Sequence, residues 1–146
     1  MLQENVDYVI CKTAAFMDAK SPLKQGRGIC ISTKNHLFFL PTLTIGTHPL
    51  LQTYKSHAHF DGVSIEEGVQ NLLKNAENVK DLEDSLSALL EDNPRNVHRI
   101  SSYGKFVISG LFIKNNMRLI NSRFDYYACI LKPKAVASEF RQFHGK

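Results

Sequence analysis

At 146 residues and 43% hydrophobic, the chain is long enough for one domain with a sizeable core. Cys11, Cys30 and Cys129 are too few and too scattered for a disulfide framework, and no run approaches the roughly 20 apolar residues of a membrane-spanning helix. With no basic start or apolar run after Met1, a signal peptide is not expected, and the setting expected from the thiols is a reducing cytoplasm.

The net charge of +4 conceals a division. Residues 64–93 carry eight acidic side chains against Lys74 and Lys80, so this stretch holds −6 and the remainder +10. A basic body with an acidic helical part speaks to association and solubility, not to chemistry.

Residues 6–17 open as a strand, because Tyr8, Val9 and Ile10 favour extended chain. Residues 18–26 read as a loop, punctuated by Ser21-Pro22 and closed by Gly26-Arg27-Gly28. Residues 28–41 then form a hairpin across Lys34-Asn35, with Asn35 suited to the left-handed backbone of a tight turn. Both of its faces are apolar: Ile29 and Ile31 against Cys30, then Leu37 and Phe39 against Phe38 and Leu40. Such a ribbon must be covered on both sides. Residues 42–62 show no period and read as irregular chain.

Ser64 begins a helix, with Glu67 three positions on completing a capping box and Glu66 meeting the positive helix end. Val69, Leu72, Leu73 and Ala76 recur at helical spacing. Asn78 with Asp81 looks like a second cap before Leu82, Leu86, Leu89 and Leu90, so a break falls near residues 75–78. Asn93-Pro94 ends this part. Residues 97–103, 105–114, 117–121 and 124–132 read as four strands, with Gly110 marking a bend. Pro133 opens a closing helix whose stripe of Val136, Phe140 and Phe143 must pack on something.

Three strands, a helical interruption, four strands and a last amphipathic helix resemble the PH-like superfold, with the GRAM and bacterial PH-like groups nearest. The string Gly28-x-x-Ile31-x-Thr33-Lys34-Asn35-x-Leu37-x-Phe39 is similar to the second-to-third-strand hairpin of GRAM domains. The helical part lies outside that basic fold, and the last helix lacks the Trp that PH domains usually carry there. The resemblance implies a non-catalytic module for lipid headgroups, peptides or sister subunits. It places candidate ligand cations at Lys12, Lys24 and Arg27, with Lys20 in the same region. Lys24-Gln-Gly-Arg27 is one residue longer than the family's lysine-x-arginine spacing. Long cationic side chains also serve simply to keep an open sheet edge from pairing.

The sharpest chemical string is His57-Ala-His59-Phe-Asp61. On extended chain, imidazoles two residues apart point the same way, and a carboxylate two further on adds an oxygen ligand. It resembles the His-x-His-x-Asp-His signature of metallo-β-lactamase-fold hydrolases, with Gly62 where the last His would stand. A divalent metal on His57, His59 and Asp61 is therefore the alternative reading, a metal-dependent hydrolase. Phe124, Tyr126 and Tyr127 lie among basic residues. Alternation turns half of them inward, too few for a base-stacking platform, so nucleic acid is not the expected partner.

The expectation is an α+β protein: a strongly bent antiparallel sheet or partly open barrel of about seven strands, one domain over residues 1–146. It carries a helical insertion at about 64–93 and a C-terminal capping helix. Its expected role is binding or scaffolding without catalysis or cofactor. The expected contacts are a protein partner, self-association through Val69, Leu72, Leu86 and Leu89, or an anionic headgroup at a membrane surface.

Overall fold

A computed structural model describes residues 1–18, 21–44, 64–92, 98–100, 105–109, 116–122, 125–132 and 134–145. In chain order the elements are β1 (Val9–Asp18), β2 (Ser21–Ser32), β3 (Leu37–Thr44), α1 (Ile65–Asn75) and α2 (Val79–Asp92). They continue with β4 (His98–Ile100), β5 (Lys105–Ser109), β6 (Asn116–Ser122), β7 (Asp125–Ile130) and α3 (Lys134–Phe143). The α+β class holds, and the barrel does not. The strands lie in the order β4-β3-β2-β1-β7-β6-β5, antiparallel throughout, in an open sheet whose outer strands β4 and β5 do not pair with each other among the described residues.

A sheet bent round into a barrel would enclose a single interior, whereas this open sheet carries a core on each face. Alternation along β1, β2 and β3 sends successive side chains to opposite faces of the sheet, and each face has its own helical cover. Val9, Cys11, Phe16, Cys30, Leu37, Phe39, Met117, Cys129 and Leu131 form one core with Ala137, Phe140 and Phe143 of α3. Tyr8, Ile10, Ile29, Ile31, Phe38 and Leu40 form the other with Val69, Leu72 and Leu73 of α1 and Leu82, Leu86 and Leu89 of α2. The result is three layers, helix on sheet on helix. Residues 64–92 are therefore not an appended arm, since they close one side of the sheet.

The reason lies in the hairpin's composition. Ile29 and Ile31 on one face and Cys30 on the other are all at most 2% exposed, so covering a single face would have left a row of large apolar groups in water. On the α3 side Phe16 stacks on Phe39 with ring centroids 4.4 Å apart.

Helix ends follow their local chemistry. Ser64 Oγ accepts from the Glu67 N–H at 3.2 Å, and Asn78 Oδ1 accepts from the Asp81 N–H at 2.9 Å, so both expected caps are in place. α3 ends at Phe143, and the turn after it passes through Gly145, whose φ of +67° suits a residue without a Cβ. The expected loop over residues 18–26 is corrected: β2 begins at Ser21, and Gln25 and Gly26 pair with Met17 and Phe16. Pairing with β1 extends a segment whose local sequence reads as turn. The expected first strand also starts later, at Val9, because residues 3–8 turn back, with the Asp7 N–H donating to the Gln3 carbonyl at 2.9 Å.

Candidate functional site

The hairpin tip, residues 32–36, is the point where all three layers meet. The Thr33 N–H donates to the His36 carbonyl at 2.9 Å, and Thr33 Oγ1 accepts from the His36 N–H at 3.1 Å. The threonine hydroxyl closes the turn that a left-handed residue was expected to close. Among the described residues other than glycine, Asn5 alone has positive φ, so Asn35 does not play that part.

Two clasps leave the tip in opposite directions. Toward α2, His36 Nε2 lies 3.5 Å from Glu83 Oε2, and Asn35 Nδ2 donates to Glu83 Oε1 at 3.3 Å. Toward α3, the Lys34 ammonium donates to the Phe143 carbonyl and sits 3.9 Å above the Phe143 ring. A cation there meets both a helix C-terminus and a π face, and each attracts positive charge. Ser32 Oγ lies 2.9 Å from His144 Nε2.

Serine beside histidine invites a nucleophile reading, and the geometry opposes it. The Ser32 hydroxyl donates to the Thr33 carbonyl at 3.0 Å, which leaves its oxygen to accept from His144. A histidine that donates to the hydroxyl does not withdraw its proton. Ser32 is also 1% exposed, closed to a substrate. The pair is a structural latch.

The three thiols gather in the core beneath α3, with Cys11 and Cys30 directly opposite one another on β1 and β2. Burial pushes the Cys11 thiol above its ordinary range; its hydrogen bond to the Lys132 carbonyl spans 3.3 Å. Cys30 is raised further, first by its contact with the Cys129 thiol and then by burial. Such thiols are protonated and shielded, hence inert. All three should resist a thiol-reactive disulfide reagent at neutral pH while the chain is folded, and react together once it is unfolded in denaturant. Fast labelling of any one in the native state would contradict the buried placement. Because folded Cys11 and Cys30 titrate higher than unfolded ones, their stabilisation is intact below about pH 8.5 and is lost as pH rises from there through the folded values.

Of the cations expected to hold an anion, Lys12 is exposed on β1, with its Nζ 3.7 Å from Glu66 Oε1 in the first turn of α1. Arg27 is exposed on β2, opposite Ala15. Lys24 lies on β2, and its side chain is outside the described residues, as are His57, His59 and Asp61 and the bend expected at Gly110. Among the described residues no group of three His, Cys, Asp or Glu side chains is disposed to hold a metal. The sequence signal for the clasps lies in the turn itself, where four residues between two apolar strands include both Lys34 and His36.

The fold and site thus define an α+β protein with an open antiparallel sheet between two helical layers, pinned at one hairpin tip. Comparison with family models, with curated proteins and with solved structures gave no significant match. No described helix is long and apolar enough to cross a membrane.

Proposed function

We propose that the chain is a non-catalytic binding or scaffolding module that uses Lys12, Lys24 and Arg27 for an anionic ligand such as a lipid headgroup. The observation that carries this reading is the exposure of Lys12 and Arg27 on paired strands. The internal polar groups at the hairpin tip hold the layers together. The Lys12–Glu66 contact joins two exposed side chains, 51% and 62% accessible. Such a pair exchanges readily, and an anion of higher charge would compete with the carboxylate. The resemblance of the Gly28–Phe39 string to GRAM domains supports the same class of ligand.

Titration with vesicles containing anionic phosphoinositides, at low and at physiological salt, tests the reading. Binding should weaken as salt rises, fall in the Lys12→Ala and Arg27→Ala variants, and strengthen in Glu66→Gln, which frees Lys12. Binding that is absent, or indifferent to both salt and these substitutions, would refute it.

A further inference from the structure

We propose that the groove beside the hairpin tip binds a small zwitterion, a free amino acid or dipeptide, with its carboxylate on Lys34 and its ammonium on Glu139. The groove is a cavity of about 410 Å³ where three chain-distant segments meet: Asn5 from the N-terminal turn, Lys34 from the tip, and Glu139, Gln142 and Phe143 from α3. That volume lies within the range of about 300–1,000 Å³ that small-molecule sites occupy.

Charge selects the ligand. Lys34 and Glu139 line the same cavity without forming an ion pair. The half-buried Glu139 carboxylate has no hydrogen-bonding or ionic partner among the described residues, and neither do the side-chain amides of Asn5 and Gln142. A simple anion would meet the repulsion of Glu139, and a simple cation that of Lys34. A molecule carrying both charges bridges the gap between them, and the two free amides offer donors and acceptors to the atoms in between. Lys34 is set for its part, because the Phe143 carbonyl engages one ammonium hydrogen and the Phe143 ring fixes the nitrogen's position, leaving two donors for a carboxylate.

This site is independent of the cationic strand pair. Lys12 meets α1, which covers one face of the sheet, whereas the groove borders α3 on the other. Failure of one therefore leaves the other standing.

The test is NMR of the isotopically labelled full chain, titrated separately with a mixture of the standard amino acids, with glycylglycine, and with acetate plus methylammonium as disconnected charges. The expected result is saturable shifts at Asn5, Lys34, Glu139 and Gln142 with the amino acids, the dipeptide or both, the stronger arm naming the ligand. The disconnected charges should give markedly weaker shifts. Glu139→Gln keeps the side-chain shape and should weaken binding about tenfold, the scale of one charge-assisted contact. Lys34→Gln should do the same, with the dispersed spectrum confirming the fold. The absence of saturable shifts at millimolar ligand would overturn the proposal. So would equal shifts from the disconnected charges, or unchanged affinity in Glu139→Gln.

Discussion

Gly28→Ala should be one of the most damaging single substitutions available in this chain, costing upward of about 3 kcal/mol, beyond the usual overpacking range. A Cβ on residue 28 would press on the Leu40 carbonyl oxygen and come within 2.7 Å of Pro41 Cα and 2.9 Å of the Leu40 carbonyl carbon. These are backbone atoms of the neighbouring strand, so no side-chain rotation relieves the contact. β2 and β3 would have to separate where Gly28 pairs with Pro41, beside an existing register shift at residues 27–28. Proline offers no N–H to the ladder, and glycine opposite it lets the strands close over that gap. Since domains of this size hold roughly 5–15 kcal/mol in total, urea unfolding should show a much lower midpoint with an unchanged slope. A midpoint close to that of the parent chain would mean that the strands do not approach as described.

Phe140→Ala should cost about 3–5 kcal/mol and Leu86→Ala about 2–5 kcal/mol, the range for emptying a fully packed site. Both side chains are 0% exposed, and they stand on opposite faces of the sheet. The pair of variants separates two architectures. If α1 and α2 were an appendage, Leu86→Ala would melt those helices alone, and the transition followed by a sheet-sensitive probe would not move. In a three-layer structure both substitutions lower one common, cooperative transition, seen alike by near- and far-ultraviolet circular dichroism. Two separated transitions in either variant would contradict the layered assignment.

Much of the local structure is legible without coordinates. Ser64 followed by Glu67, and Asn78 followed by Asp81, announce helix starts because a cap depends on residues three positions apart. The central strands are equally plain, since Ile29 to Ile31 and Leu37 to Leu40 alternate without a polar member. Residues 21–26 belong to β2 although Pro22 and Gly26 are turn formers by local propensity. Pairing with β1 is a long-range gain that propensity does not contain. The site was harder still: His144 and Ser32 are 112 positions apart, and Lys34 and Phe143 are 109. No spacing rule joins them.

What the residues determined alone is that the hairpin needs cover on both faces and that three amphipathic helices are at hand to supply it. Which helix covers which face, whether the sheet closes on itself, and which side chains meet at the tip were decided by tertiary packing. An apolar stripe specifies that it must be buried but not against what. That choice belongs to the joint filling of two cores, where every element competes for the same surface.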